Sequence, residues 1–469
     1  MNPIGNHLLL LKRDCKARLL LRSFGFTCAF LLWLAPAGAQ DWFKTGTGLG
    51  VPQARLAAAD FAARNIPSDP AELQQKRNAL ASTFNAVLWS DLEYSGVLEL
   101  VSKSFYPLDV PTIPAQLRID MWNRDPVNAH MVALGNVSAS GEEMAIEAWL
   151  FDVRSQQPPV LAKRYRASAT DEDARRIAHQ FADEIIARLS GGLPGIASTK
   201  IAFVSNRTGN KEIWVMDYDG AGQKLLTSLR SIALTPRWSP DASRIAFTCW
   251  RRGADNVTSA QICMHSMETG KAVAFVAYRG TNSAPAWSPD GSQLMFMSSM
   301  HGDPELFVVN SSGSSPKRIT YSAGGDTSAA WNPKTGQQVA FVSDRGGIPQ
   351  VYMMNADGTN VEKLRLPDTM GYVIDPAWSP NGQLLAFSWR RPSGNYDIYV
   401  MDVASGQIVE ITRDAGRNER PSWAPDGRHI VFESTRTGSR QIWTMLADGT
   451  QPRQLTFEGA NESPNWSPR

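Results

Sequence analysis

The sequence of 469 residues lacks the motifs that identify the common catalytic sites. It contains no His-Glu-x-x-His, Cys-x-x-Cys or P-loop pattern, so no enzyme of those motif classes is indicated. It also lacks a Gly-x-Ser-x-Gly elbow, which argues against an α/β-hydrolase. The His residues beyond position 39 show no metal-ligand spacing, and we expect neither a metal site nor a cofactor. These residues are His130, His179, His265, His301 and His429.

Long apolar runs and a strong charge of one sign are missing as well. The net charge of +2 gives no reason to expect nucleic acid as a partner. A short apolar run, residues 24–34, follows a basic stretch and precedes an Ala-Gly-Ala cleavage pattern at residues 37–39. This arrangement is typical of a signal peptide, so we expect residues 1–39 to be removed and the mature chain to be extracytoplasmic. The alternative is a membrane anchor that stays attached, for which the run is short.

Cys residues are few, and only two of the four lie beyond residue 39. Cys249 and Cys263 are expected near the facing ends of two strands of one hairpin, in a protein that is exported to an oxidising environment. A disulfide between them is one interpretation, and two separate thiols in a β-core is the other.

One pattern recurs from residue 200 onward, and its clearest element is Trp-x-Pro. The intervals between successive Trp residues are 49, 44, 47, 45 and 43 residues, a period that matches a four-stranded propeller blade. Each Trp-x-Pro is followed by a polar turn, in most copies of Asp or Asn with Gly, and then by short alternating apolar runs that predict strands. The Trp positions are Trp238, Trp287, Trp331, Trp378, Trp423 and Trp466.

The two ends of the repeat predict how the ring closes. The first copy begins within a unit at Ile201, and the last copy stops within a unit at Trp466. Together they complete a sixth unit, so we expect the N- and C-terminal propeller strands to pair and leave no open edge. One buried Trp per blade would then wedge neighbouring sheets together.

Residues 51–190 lack the repeat and are predicted to form an α/β domain. Apolar residues recur near a 3.6-residue period from Pro70 to Tyr94 and along Thr170 to Leu189, which predicts two helices with strands between them. The fold prediction is an α/β N-terminal domain followed by an all-β six-bladed β-propeller. The predicted organisation is a signal peptide at 1–39, a flexible recognition segment at 40–50, the α/β domain at 51–190, a linker at 191–199 and the propeller at 200–469.

The loops between strands are the candidate binding surface. If Trp-x-Pro ends the innermost strand A, the loops from strand D to strand A and from B to C lie at one end of the channel. These loops are polar and differ between blades. Loops on a rigid scaffold commonly carry the residues that bind partners, so we interpret them as a binding face. The alternative is that they are solvated hairpin tips without a binding role. The B-to-C loops also bring cations, namely Arg207, Arg251, Arg345, Arg390 and Arg436. The predicted partner-binding residues are Thr281, Asn282, Asp326, Thr327, Tyr372, Arg417, Asn418, Glu419, Asn461 and Glu462.

The chain from residue 40 onward resembles the TolB family of the Tol–Pal cell-envelope system. The resemblance rests on units of the type Trp-Ser-Pro-Asp-Gly and Ile-Tyr-Val-Met-Asp, on the terminal Trp466-Ser-Pro468, and on the order of signal peptide, α/β domain and propeller. It implies a periplasmic adaptor, not an enzyme, that supports outer-membrane integrity and cell division.

The resemblance also implies partners. The propeller face would bind the peptidoglycan-associated lipoprotein Pal, and residues 40–50 would bind the inner-membrane protein TolA. The Pal-facing loop would be Thr281–Pro285, in which the family's Asn is kept as Asn282 and its His is replaced. The polar, Thr-like position of the family's next loop falls near Asp326-Thr327, so substituting Asn282 or Thr327 is expected to weaken partner binding without unfolding the chain.

A propeller enzyme is the alternative function. Similar repeats occur in oligopeptidase-like proteases, which need a hydrolase domain for which we find no segment in this sequence. They also occur in polysaccharide lyases, which use His and a metal in the channel, and His301 and His429 are the residues available for that role.

Overall fold

A computed structural model of the chain describes residues 53–155, 157–273, 275, 277–313, 315–367, 371–390 and 394–469. The predicted signal peptide and the predicted recognition segment at 40–50 lie outside the described residues. Within these ranges, no helix is both long enough and apolar enough to cross a membrane.

The N-terminal region is a mixed sheet with two long helices. Its strands are β1 Ala54–Ala58, β2 Ala62–Ala63, β3 Leu98–Leu100, β4 Met131–Ser140, β5 Glu143–Asp152 and β6 Leu161–Ser168. Its helices are α1 Ala71–Tyr94 and α2 Asp171–Leu189, with 3-10 turns at Lys103–Phe105, Pro114–Gln116 and Ile119–Met121. The strand order is β3-β1-β4-β5-β6, with β2 beside β4. Strand β1 runs parallel to β3 and β4, and β4, β5 and β6 are antiparallel.

Local sequence explains why helix α2 forms where it does. The Thr170 hydroxyl accepts a hydrogen bond from the Asp173 amide, and three acidic residues fill the first turn, where the helix dipole favours negative charge. Residues with helical spacing, such as Ile177, Phe181 and Ile185, are buried on one face. This face packs with α1 in one apolar core.

The second part of the chain is the propeller. Its described strands form six four-stranded antiparallel sheets, named blades 1 to 6, with strands A to D from the channel outward. Blade 1 is Ala233–Trp238, Arg244–Arg252, Thr258–Ser266 and Lys271–Val273; blade 2 is Asn282–Trp287, Gln293–Ser298, Glu305–Asn310 and Lys317–Arg318; blade 3 is Asp326–Trp331, Gln338–Ser343, Gln350–Asn355 and Glu362–Lys363. Blade 4 is Tyr372–Trp378, Leu384–Arg390, Tyr396–Asp402 and Ile408–Glu410; blade 5 is Asn418–Trp423, His429–Thr437, Ser439–Leu446 and Arg453–Gln454; blade 6 is Asn461–Trp466, Lys200–Ser205, Glu212–Asp217 and Lys224–Leu225.

Blade 6 closes the ring as the sequence predicts. Its strand A comes from the C-terminal end and pairs antiparallel with strand B from the start of the propeller, with Asn461 opposite Ser205 and Trp466 opposite Ile201. The prediction of an α/β region followed by a closed six-bladed propeller is thus confirmed.

The helices of the N-terminal region pack onto blades 5 and 6. One apolar core contains residues of both parts, among them Leu88 of α1, Ile185 of α2 and Ile442 and Trp466 of the propeller. Polar groups join across the same boundary: His429 bonds through Nε2 to the Tyr94 carbonyl at 2.7 Å. The two parts therefore share an interior.

Candidate binding face and channel

The propeller has two different ends. One end, which we call the loop face, carries the first residues of the A strands together with the D-to-A and B-to-C loops. The other end, the turn face, carries the Trp-x-Pro turns and the C-to-D turns. Helix α1 contacts the turn face, where His429 bonds to the Tyr94 carbonyl and the Tyr218 hydroxyl donates to Asp91 Oδ1 at 2.6 Å.

A buried polar latch holds the loop face of blade 5. The Asn418 amide donates to Asp397 Oδ1 of blade 4 at 3.0 Å. Its Oδ1 accepts from Ser434 Oγ at 2.8 Å and from Arg436 Nη2 at 3.0 Å. The Arg436 guanidinium also stacks over the Trp443 ring, 4.5 Å from its centroid. These bonds fix the D-to-A loop to the B-to-C loop and tie two blades together.

Blades 3 and 6 repeat this latch with small changes. Arg345 Nη2 bonds to Asp326 Oδ2 at 2.7 Å, and its Nε bonds to a strand B hydroxyl. Arg207 Nη2 bonds to Asn461 Oδ1 at 3.2 Å in the same arrangement. Arg207, Arg345 and Arg436 are therefore structural groups, whereas Arg251 and Arg390 are exposed.

Burial divides the predicted partner-binding residues into two groups. Asn282, Asp326, Asn418 and Asn461 are fully buried, and the Asn282 amide donates to Gln261 Oε1 at 3.1 Å and to loop carbonyls. Such residues shape the loops from within, and their side chains have no exposed surface to offer a partner. Direct contact with a partner therefore stays a prediction for those residues of the set that are exposed. Because Asn282 is buried and hydrogen-bonded, we expect its substitution to disturb the fold.

Four of the predicted residues reach the surface of the loop face. Thr281, Tyr372 and Arg417 are exposed, and Thr327 is half-buried. Arg417 is held in position because its Nη2 bonds to Glu419 Oε1 at 2.9 Å and its guanidinium stacks over Tyr396. This group offers hydroxyl, aromatic and cationic chemistry at the starts of the A strands.

The six A strands surround a cavity of about 450 Å³. Each strand A carries a bulge, at which one residue that is not Gly adopts a positive φ of about 50°. These residues line the channel and are Thr235, Ala284, Ser328, Asp375, Arg420 and Ser463. The bulge aims side chains of very different chemistry into the same ring.

Charged side chains cluster where the channel meets blades 5 and 6. Arg420 Nη1 bonds to Glu433 Oε2 at 3.0 Å, and Arg440 Nη1 bonds to Glu462 Oε2 at 3.1 Å. Lys211 pairs with the other oxygen of Glu462. Glu419 and Glu462, which the sequence predicts as partner contacts, are both nearly buried at this site.

Burial and ion pairing shift the pKa values of these carboxyl groups in different directions. Burial raises the pKa of the Glu433 carboxyl, although Arg420 opposes the shift. Burial also raises the pKa of Glu462, but the bond and charge of Lys211 outweigh it, so the net pKa is lowered. Asp375 has its pKa raised by burial, again opposed by Arg420. Sequence reasoning missed Arg420 and Glu433 because only the bulge brings them together; the Arg420-Pro421 pair preceding Trp423 was the available signal.

The residues on which the enzyme alternative depends lie away from this cavity. His429 is fully buried on the turn face, where its Nδ1 bonds to Asp426 Oδ2 at 2.7 Å. His301 packs beside Phe307, with ring centroids 5.7 Å apart. The described residues that line the cavity include no His, so the channel as described does not favour a lyase site.

Strands B and C of blade 1 are joined covalently. Cys249 and Cys263 form a disulfide with their Cα atoms 5.9 Å apart. The bond lies diagonally across the hairpin, because Cys249 pairs with Gln261 and Cys263 pairs with Phe247 in the strand register.

Known proteins share both parts of the chain. The family model described as "TolB beta propeller domain" matches residues 188–372 and 366–469, and the one described as "TolB amino-terminal domain" matches residues 57–158. A protein TolB homolog of Chlorobium chlorochromatii is 34% identical over 257 residues, 54% of this chain and 55% of the relative. The Tol-Pal system protein TolB of Bordetella pertussis is 30% identical over 321 residues, 67% of this chain and 66% of the relative.

A solved structure extends the similarity over most of the chain. The crystal structure of TolB from Acinetobacter baumannii matches with a TM-score of 0.73 and 25% identity, covering 89% of this chain and 98% of that one. The curated relatives named above are matched over about half to two thirds of their own length.

Proposed function

The chain belongs to the TolB family, and on that premise we propose that it is a binding component of the Tol–Pal system of the cell envelope. The family is non-enzymatic, so the protein acts by holding partners and not by catalysis. Its proposed location is the periplasm, where its homologues reside.

The proposed partner of the loop face is a Pal-like peptidoglycan-associated lipoprotein of the outer membrane. The observation that carries this proposal is the contrast between the two ends of the propeller. The helices of the N-terminal region pack on the turn face, whereas the exposed Thr281, Tyr372 and Arg417 stand at or next to the first residues of A strands at the other end. Residues anchored at the start of a paired strand lose little conformational entropy when a partner binds. Through this contact the protein would support outer-membrane integrity and cell division.

Calorimetric titration with the periplasmic domain of the same organism's Pal-like lipoprotein tests the proposal. We expect saturable one-to-one binding, and at least tenfold weaker binding when Tyr372→Ala and Arg417→Ala are combined. Tenfold corresponds to a loss of about 1.4 kcal/mol, which is modest for one aromatic and one Arg at an interface.

The matched control is Lys334→Ala, which removes an exposed cation from a turn on the opposite face. It should leave both the affinity and the melting temperature unchanged. Absence of binding by the intact protein would refute the lipoprotein as partner, and equal affinity for the double variant would refute the loop-face site.

Residues 40–50 are the proposed contact for a TolA-like inner-membrane protein. Deleting this segment should abolish capture of the TolA-like domain and leave lipoprotein binding unchanged. Capture by the shortened chain would place that contact elsewhere.

A further inference from the structure

A histidine and two aspartates meet where helix α2 packs against blade 6. His179 lies on α2 and is 5% exposed; Asp217 ends strand C of the blade, and Asp219 lies in the turn that follows. One ligand atom from each residue lies within 4.8 Å of those of the other two. The group therefore joins the N-terminal region to the blade that closes the ring.

The surroundings prepare one nitrogen of His179 for a ligand. Its Nδ1 lies 2.7 Å from Asp91 Oδ2, and the other oxygen of Asp91 accepts from the Tyr218 hydroxyl at 2.6 Å. His179 Nε2 is buried and has no hydrogen-bond partner among the residues that the structure describes. A carboxylate on Nδ1 fixes the ring and leaves Nε2 as the basic nitrogen, which is the arrangement found behind metal-binding His residues.

The two acidic residues are not explained by the turn alone. The matching positions are Asn355 and Asp357 in blade 3, where Asp357 accepts from the amide and hydroxyl of Thr359. Asp219 likewise accepts from the Ala221 amide at 3.1 Å. In blade 6 the first position is also acidic, and both carboxylates approach the buried His.

Two cations already share these carboxylates. Arg175 Nη2 bonds to Asp219 Oδ2 at 2.5 Å, and Lys200 Nζ bonds to Asp217 Oδ1 at 2.7 Å. Each carboxylate has two oxygens with about four lone-pair positions, so these bonds leave acceptor capacity. The nearby cations weaken the attraction for a metal, and we expect moderate affinity.

We propose that His179, Asp217 and Asp219 form a site for a divalent transition-metal cation of the zinc type, which links α2 to blade 6. Imidazole with carboxylates suits zinc and its neighbours, whereas calcium prefers ligand sets made only of oxygen. Bonds of about 2.0–2.2 Å would draw the two aspartates slightly toward the imidazole nitrogen. Three protein ligands leave a coordination position for water, as in open zinc sites.

Zinc titration of the tag-free, chelator-treated protein tests the site. We expect one saturable site by calorimetry and a rise in melting temperature with zinc concentration. Cobalt should give the visible absorption of an ion with nitrogen and oxygen ligands. The double variant Asp217→Asn with Asp219→Asn should bind zinc at least tenfold more weakly and lose the cobalt absorption.

Asp357→Asn is the matched control, since it changes the same turn position in a blade without the buried His. It should bind zinc like the wild type. His179→Gln keeps a side-chain amide for Asp91 and should also lose the site; if it does not fold, the aspartate variants carry the test. No saturable binding by the wild type, or unchanged binding by the double Asn variant, would overturn the proposal.

Discussion

Asn418 holds together more of the loop face than its single amide suggests. Bonds to Asp397, Ser434 and Arg436 occupy both ends of that amide, and the side chain is fully buried. Replacing it by Ala removes these three bonds from a buried place, although Asp397 still accepts from Thr412 Oγ1 and Arg436 Nε still donates to Ser434 Oγ. We expect Asn418→Ala to lower the free energy of unfolding by about 2–3 kcal/mol, measured by denaturant titration.

The exposed neighbour provides the comparison for this substitution. Arg417→Ala removes an exposed guanidinium and its ion pair with Glu419, and should lower the free energy of unfolding by no more than about 1 kcal/mol. If Asn418→Ala is as stable as Arg417→Ala, the latch does not stabilise the blade.

Asp290 shows how one turn residue makes the stability of the fold depend on pH. Its carboxylate accepts from Ser288 Oγ at 2.6 Å and from the amide and hydroxyl of Ser292, and these bonds lower its pKa to about 2. The ordinary value is 3.8, so the ionised group stabilises the fold fully above that pH and loses its effect as the pH falls toward 2.

Asp290→Asn tests this dependence. In blade 4, Asn381 accepts the equivalent bonds from Ser379 and from the Gln383 amide, so the fold should survive the change. We expect wild type to be more stable than the variant at pH 6 and the difference to vanish near pH 2, measured by thermal unfolding across that range. A difference that stays constant with pH would show that the charge is not responsible.

For individual polar residues in these loops, the sequence alone does not predict which are buried and which are exposed. Asn418 and Arg417 are adjacent, polar and equally plausible as contacts, yet one is buried and the other exposed. The difference is set by Ser434 and Arg436 on the paired strand, which become its neighbours only through the strand register. Exposed loop chemistry was predictable as a class, and the individual contacts were not.

Trp287 is the wedge between blades 1 and 2. Its side chain is buried, its Nε1 donates to the Arg237 carbonyl of the preceding blade at 3.2 Å, and Arg244 stacks over its ring. Trp287→Ala would open a cavity between the two sheets and remove that bond. We expect it to cost about 3–5 kcal/mol in the free energy of unfolding, measured by denaturant titration.

Trp250 is the control at the same scale, because it lies at the outer end of a strand in blade 1 with 36% of its surface exposed. Trp250→Ala should cost much less than Trp287→Ala. Equal losses in the free energy of unfolding would mean that a Trp between two blades stabilises the fold no more than a Trp near the end of a strand.

At the scale of elements, regular repeats were easier to predict than isolated strands. Six copies of the pattern place strands A to C because each copy repeats the same alternation of apolar residues. Strand β1 carries no such signal, since Ala-Arg-Leu-Ala-Ala has no β-branched residue. It becomes a strand through parallel pairing with β3 and β4, and those partners lie far away in sequence.

At the scale of the whole molecule, strand A of blade 6 completes both the ring and the shared interior. Trp466 donates from Nε1 to Thr199 Oγ1 at 2.8 Å and belongs to the core that contains α1 and α2. Deleting residues 460–469 would expose the edge of the strand Lys200–Ser205 and open that core. We expect the shortened chain to lose its cooperative melting transition and to aggregate, as unprotected edges do.

A control deletion and a rescue peptide show whether the effect of this deletion comes from the loss of strand closure. Removing Arg469 alone leaves the strand intact and should leave the melting temperature nearly unchanged, since that residue is exposed and its contact with Asp183 is long at 3.9 Å. A synthetic peptide of residues 460–469, added during refolding, should pair with the open edge and restore a soluble monomer. A shortened chain that melts like the full chain without the peptide would show that strand closure is dispensable, and the stability of the ring would then come from the five complete blades and the helices packed against them.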